Sequence, residues 1–280
     1  MENLIEILSK ERNTTGKIID SLKRIKKDEC DPFKKLSMLK IEISSIEKNL
    51  NQSLLEYTIK EKIQSVLNNS KSEFYEIEQK AKSQFGSKLA ILLSTKGFTL
   101  EGNYPKLKAS IYSLYVDIPE NKTDIYYGPE LEKIGTSNSI PDDVASIVLK
   151  HYEVLTQRDF DDRKFLNDLL NAYKVCLLQN DKKIGDEIHI SEALAAYTFI
   201  IQDKKFKSNP LKKNYVEYDR ILFSYDLHKL KERTSGIFEL KLITAKRAET
   251  KNRLDFLWIP SAQEKGIGES ISGLKFEEVK

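Results

Sequence analysis

The run IFELKLI, residues 237–243, contains the pair of side chains best placed for chemistry. Its apolar residues are typical of a strand, and Lys241 follows Glu239 by two positions. Residues two apart on a strand point to the same face of the sheet. A carboxylate and an ammonium group on one face are either part of a metal-dependent site or the exposed, charged face of an ordinary strand.

This Glu-x-Lys pair resembles the PD-(D/E)xK class of metal-dependent nucleases, and the resemblance covers Glu239 and Lys241 alone. It implies that Glu239 holds a metal ion and that Lys241 lies near the attacking water. Such enzymes also need an upstream acidic residue. Asp226 and Asp219 are the candidates, but both lie in a segment with helical periodicity. Glu-x-Lys occurs five times in the chain, close to what its Glu and Lys content yields by chance.

Other catalytic signatures are absent from the sequence. His151, His189 and His228 form no HExxH motif, and the two cysteines form no CxxC pair. No GxxxxGK[ST], GxGxxG or GxSxG motif occurs, and GIGES at 266–270 is typical of a turn between two strands. We therefore expect no bound metal and no cofactor, and we favour a non-catalytic protein over an enzyme.

Charge is distributed unevenly along the chain. Residues 204–253 contain 14 Lys and Arg against 6 Asp and Glu, whereas residues 117–192 contain 9 against 16. Basic side chains interleaved with Phe206 and Tyr215 are suited to contacting phosphates and stacking on single-stranded bases. The basic side chains in question are Lys204, Lys205, Lys207, Lys212, Lys213, Lys246, Arg247, Lys251 and Arg253. The alternatives are a solvated loop, or a basic surface neutralised by the acidic region.

The first 85 residues carry an apolar pattern typical of long helices. Pro32 suits the first turn of a new helix, and no Gly or Pro follows until after Phe85. Apolar residues then recur in steps of three and four, with a slip near Ser53, at Leu36, Leu39, Ile43, Ile46 and Leu50. So narrow an apolar stripe predicts a helical hairpin or coiled-coil arm. Its partner is the first helix, a second copy, another protein or the chain's own globular domain.

The remainder, residues 86–280, mixes strands with helices. SIYSLYVDI and DIYYG predict a β-hairpin in which one of the adjacent tyrosines Tyr126 and Tyr127 faces the core. Gly128 and Pro129 then predict the start of a helix. We expect an α+β fold, in which the arm of residues 1–85 precedes a globular domain with a possible sub-boundary near 136–140.

Composition limits the class of protein. No apolar run of 18 residues and no signal peptide occur, and two distant cysteines are typical of a reducing cytoplasm. We expect a non-catalytic accessory subunit of a cytoplasmic, bacterial multi-protein complex, such as an anti-phage defence system. The arm would bind a protein partner or second copy, and the basic region would contact DNA or RNA. A PD-(D/E)xK-like nuclease and a structural homo-oligomer remain the alternatives.

Overall fold

A computed structural model describes residues 2–262 and 266–279, except for the side chain of Glu2. The described residues form eight helices and ten strands, and every strand pairing is antiparallel. The α+β class expected from the sequence is confirmed, as is the series of long helices at its N-terminal end. Among these residues, no helix combines the length and the apolarity that a membrane crossing requires.

Three helices form the arm: α1 (Glu2–Ile25), α2 (Pro32–Gln52) and α3 (Tyr57–Ser94). Asp31 begins α2, because its carboxylate accepts the backbone N–H of Phe33 at 2.9 Å and Pro32 needs no such partner. The irregularity near Ser53 is a break between two helices. Residues 53–56 reverse the chain there, so that α2 packs against both α1 and α3.

Most of the apolar stripe of α2 is buried inside the arm. Ile18 of α1 and Leu67 of α3 bury it from either side. Further along, Ala81, Phe85, Leu89 and Leu93 of α3 belong to the core of the β-rich body. One helix therefore passes from the arm into the body, and the arm end predicted at residue 85 lies within it.

The first sheet is a meander packed on α3 and on α4 (Pro141–Thr156). Its predicted inward face, which includes Tyr112, Leu114 and Val116, is buried, and the β3–β4 hairpin pairs Tyr112 with Tyr127. The strands follow chain order and are β1 (Leu100–Asn103), β2 (Lys106–Ala109), β3 (Tyr112–Asp117), β4 (Lys122–Tyr127) and β5 (Glu132–Ser137).

The prediction that a helix begins after Gly128 is wrong. Gly128 and Glu130 both have positive φ, so the chain makes a tight turn and returns as β5. Pairing of β5 with the edge of β4 satisfies the backbone hydrogen bonds that a helix would otherwise have made. The prediction for the preceding tyrosines is confirmed, because Tyr127 is buried in the core and Tyr126 is partly exposed.

The second half of the body packs helices against a second sheet, in which the long β10 pairs with β6, β8 and β9. The helices are α5 (Asp162–Gln179), α6 (Ile190–Ile200), α7 (Lys204–Ser208) and α8 (Arg220–Lys229). The strands are β6 (Ile188–His189), β7 (Thr234–Ser235), β8 (Phe238–Thr244), β9 (Leu257–Ala262) and β10 (Ile267–Glu278).

Trp258 of β9 joins the two sheets. Its ring contacts Tyr127 edge-on at 5.4 Å between centroids, and its backbone carbonyl accepts the Ser224 hydroxyl at 2.5 Å. The Ser224 oxygen in turn lies 2.9 Å from the hydroxyl of Tyr127.

An ion pair also connects the basic and the acidic regions of the chain. Arg220 donates to Glu132 at 2.5 Å. Part of the positive charge of 204–253 is thus neutralised by the acidic region.

Candidate functional site

Five of the nine predicted nucleic-acid contacts lie on one exposed loop. The lysine loop, residues 203–215, comprises α7 and a short 3-10 turn, and Lys204, Lys205, Lys207, Lys212 and Lys213 all face solvent. None of the five lysines forms an ion pair with any residue that the structure describes. Phe206 and Tyr215 contact each other edge-on at 5.5 Å within it. The Lys207 ammonium group donates to the Ile200 carbonyl at 2.7 Å. The loop therefore presents positive charge without ion-pair partners beside aromatic rings.

Gln202 closes the base of the lysine loop. Its side-chain carbonyl accepts the backbone N–H of Val216 at 2.8 Å, and its amide donates to the Val216 carbonyl at 3.0 Å and to Thr198 at 2.7 Å. Gln202 is only 3% exposed, so these hydrogen bonds are shielded from water. The loop consequently leaves and re-enters the body at one fixed point.

A cleft of about 540 Å³ opens at that point, between Ile201 and Val216 on either side of the loop. Its wall is a continuous row of contacting rings: Phe160 to Phe165 at 5.4 Å, Phe165 to Tyr197 at 5.2 Å, and Tyr197 to Tyr218 at 5.1 Å. We call this space the aromatic cleft. Its size falls within the range of small-molecule sites, roughly 300–1,000 Å³.

An ion pair between the buried Asp226 and the partly exposed Arg158 lies in the aromatic cleft. Asp226 accepts a hydrogen bond from Arg158 at 2.8 Å and one from the Tyr218 hydroxyl at 2.7 Å, both on the same carboxylate oxygen. Burial and the charge of Asp226 raise the pKa of Tyr218, so its hydroxyl stays protonated and continues to donate. The second terminal nitrogen of Arg158, Nη1, is buried and has no hydrogen-bond partner among the described residues.

The other four predicted basic contacts lie on the connection between β8 and β9. Lys246, Arg247 and Lys251 are exposed there. Arg253 donates to the Leu131 carbonyl at 3.2 Å and lies 4.0 Å from the Glu132 carboxylate. This second group is therefore partly tied to the acidic region, unlike the lysine loop.

The Glu-x-Lys pair of β8 is placed on an exposed charged face. Glu239 and Lys241 bond to each other at 2.6 Å, and Lys275 and Glu277 pair in the same way on the neighbouring β10. The proposed third member, Asp226, is engaged by Arg158 and Tyr218 instead. Across residues 2–262 and 266–279, no three His, Cys, Asp or Glu side chains gather in an arrangement that could hold a metal.

The three histidines are held by protein groups. His151 lies 3.0 Å from the Tyr112 hydroxyl, and burial lowers the pKa of its ring. His189 accepts the Ser191 N–H at the start of α6, and His228 donates to the Pro260 carbonyl at 2.7 Å. These contacts are structural.

The partner-binding residues predicted on α2 are buried within the chain. Leu36 belongs to the core shared with the first sheet, and the rest of this set, Leu39, Ile43, Ile46 and Leu50, lies in the core of the arm. Exposed apolar surface lies instead at the start of α1, where Leu4, Ile5, Ile7 and Leu8 are 44–61% exposed, and on the α2–α3 connection, where Leu54 and Tyr57 are each 71% exposed. We call these six residues the arm tip.

Comparison of the chain with protein-family models, with curated proteins and with solved structures gave no match. The arm tip, the lysine loop and the aromatic cleft are the features of the chain that bear on its function.

The aromatic cleft was not foreseen from the sequence. Tyr197 and Tyr218 satisfy helical or loop patterns equally well, and nothing in their spacing relates them to Phe160. The charged run RDFDD at 158–162 is the one local signal, because three acidic residues surround a phenylalanine. The role of Gln202 as the closure of a loop has no signal in the sequence.

Proposed function

We propose that this chain is a non-catalytic assembly protein of the cytoplasm, which joins a second copy of itself through the arm tip. The proposal is supported by one face of α1, which is buried in the arm near its middle and remains exposed at the arm tip. Thr14 and Ile18 are buried on that face, and Leu4, Ile7 and Leu8 extend the same face at helical spacing. An exposed free thiol at Cys30 fits a reducing compartment.

The geometry of the arm explains why this face is left open. The Leu54 N–H donates to the Glu11 carboxylate at 2.8 Å, which places Glu11 beside the α2–α3 connection. The nine residues of α1 before Glu11 then extend about 14 Å beyond that point, at 1.5 Å per residue. Two such ends pairing symmetrically would bury both faces, and twofold pairing is the commonest form of self-association.

Substitution of Leu4, Ile7 and Leu8 by glutamate tests the proposed dimer. We expect the unaltered chain to sediment as a dimer at micromolar concentration, because pairing removes apolar surface from water. The triple variant should weaken the dimer at least about a hundredfold, since each buried carboxylate would lack a partner. Sedimentation velocity over a range of concentrations measures both.

The matched control is Ile41→Glu on the outer face of α2, where the side chain is exposed and not part of the arm tip. Its dissociation constant should stay within about twofold of the parent. Circular dichroism should report unchanged helicity for all variants. A parent chain that is monomeric at about 100 µM, or a dimer that survives the triple substitution, would refute the proposal.

A second function, binding of single-stranded nucleic acid, is supported by the unpaired cations of the lysine loop. We expect Lys204, Lys205, Lys212 and Lys213, reversed together to glutamate, to lower affinity for a single-stranded oligonucleotide at least about tenfold at low salt. The salt dependence of binding should flatten in the same variant, because fewer counterions are released. Fluorescence anisotropy with a labelled dodecamer gives both quantities.

The control makes the same change of charge elsewhere. Lys17, Lys23, Lys26 and Lys27 are exposed on the arm and its first connection, and reversing them to glutamate should leave most of the affinity intact. Equal loss in both quadruple variants would show that net charge alone governs binding and would contradict a localised site.

A further inference from the structure

Arg158 has a buried terminal nitrogen, Nη1, without a hydrogen-bond partner among the described residues. A buried N–H group without a partner costs stability, and native proteins leave few of them. Nη2 of the same guanidinium is fixed to Asp226, whereas the chain, as far as the structure describes it, supplies nothing to Nη1. Arg158 lines the aromatic cleft and its side chain is 29% exposed, so a rotation of the guanidinium that keeps the Nη2 bond to Asp226 would bring Nη1 to an acceptor in the cleft.

The walls of the cleft select a flat ligand. Tyr197 and Tyr218 contact each other and continue the row of rings that begins at Phe160. The guanidinium of Arg158 lies 5.9 Å from the centre of the Tyr218 ring. Aromatic faces and a guanidinium plane are the surfaces on which planar heteroaromatic rings stack.

The charge of its lining disfavours an anion in the interior of the cleft. Its lining carries three carboxylates, those of Asp159, Asp161 and Asp226, against the two cations Arg158 and Lys164. Lys164 is itself paired with Asp168 at 3.0 Å. A phosphate placed inside would face net negative charge, whereas an uncharged ring would not.

We propose that the aromatic cleft binds an uncharged heteroaromatic ring of the nucleobase type, stacked on the partly exposed rings of Phe160 and Tyr218 and accepting a hydrogen bond from Arg158. The ring acceptor would be a carbonyl oxygen or an unprotonated ring nitrogen. The lysine loop begins and ends at the mouth of the cleft, so phosphates attached to such a ring would lie outside, among free cations. Only this last step rests on the proposed nucleic-acid function.

The test is a titration of the full-length chain with the four common ribonucleosides, followed by isothermal calorimetry. We expect at least one nucleoside to bind with a dissociation constant below about 1 mM. Val216→Trp should weaken that binding at least about tenfold, because an indole at position 216 would fill the mouth of the cleft. Val216 is half-exposed, so the fold should tolerate the change.

Leu211→Trp is the matched control, since Leu211 is comparably exposed on the same loop and does not line the cleft. It should leave nucleoside affinity within about twofold of the parent. The proposal is overturned if no nucleoside binds at up to about 10 mM, where a specific site of this size would be detected. It is also overturned if both tryptophan variants bind like the parent.

A comparison of two phosphate-bearing ligands identifies the source of the ring. A nucleoside 5′-monophosphate that binds more tightly than a single-stranded dodecamer indicates a free nucleotide, and the reverse order indicates a base within a strand. Both results support a nucleobase site. If the lysine-loop variant retains full oligonucleotide affinity, the lysine loop is not the phosphate-binding surface. If the parent chain binds no dodecamer while nucleosides still bind at the cleft, the nucleic-acid function fails and the nucleobase site stands.

Discussion

Replacement of Arg158 by methionine should lower the free energy of unfolding by about 3 kcal/mol, because it leaves the Asp226 carboxylate buried without its counter-ion. Asp226 is 2% exposed, and its other hydrogen bond in this network comes from a neutral hydroxyl, that of Tyr218. A single neutral donor does not compensate a full negative charge in a site of low polarity. Urea denaturation followed by circular dichroism measures the change.

A double-mutant comparison separates loss of charge pairing from loss of packing. Asp226→Asn keeps the shape of the side chain and removes its charge, so Arg158→Met combined with Asp226→Asn should be more stable than Arg158→Met alone. If the single Arg158→Met variant stays within about 1 kcal/mol of the parent, the ion pair contributes little and the carboxylate finds compensation elsewhere.

Gly128→Ala should destabilise the body by about 2 to 4 kcal/mol, and this is the second large effect we expect. Gly128 has a φ of +71°, where a side chain introduces strain, and a Cβ atom there would lie 2.9 Å from Cε3 of Trp258. The Trp258 ring is held by Tyr127 and the neighbouring strands, so it cannot withdraw freely. The melting temperature measures the loss.

Gly135 provides the matched comparison within the same sheet. A Cβ atom at Gly135 meets no other atom within 4 Å, and its backbone is not in the positive-φ region. Gly135→Ala should therefore change stability by less than about 0.5 kcal/mol. Trp258 is the only tryptophan of the chain, so its fluorescence should shift in Gly128→Ala and remain unchanged in Gly135→Ala. A shift in both variants would show that the effect is not local to the contact with Trp258.

Local periodicity was enough to predict the α+β class and the long N-terminal helices. The alternation in SIYSLYVDI gave the buried face of β3, and the three- and four-residue steps after Pro32 gave the helices of the arm. The turn at Gly128 shows where such reasoning fails. Gly-Pro followed by acidic residues is a good helix start, and only the availability of the edge of β4 for pairing makes it a hairpin.

The sequence predicted a candidate site only where its residues are contiguous in the chain. The lysine loop is contiguous in the chain, so composition revealed it. The partner-binding residues predicted on α2 are buried within the chain, because burial of α2 depends on how three helices pack and not on their individual patterns. The aromatic cleft combines residues from 158 to 226, and no local pattern connects positions so far apart.

The uninterrupted course of α3 links the folding of the arm to that of the body. At 1.5 Å per residue its 38 residues span about 57 Å, with Leu67 packed in the arm and Phe85, Leu89 and Leu93 packed in the body. Unfolding of either part would expose the apolar face of a helix that the other part still holds. We therefore expect arm and body to unfold as one cooperative unit, so that binding energy gained at the arm would also add to the thermal stability of the sheets.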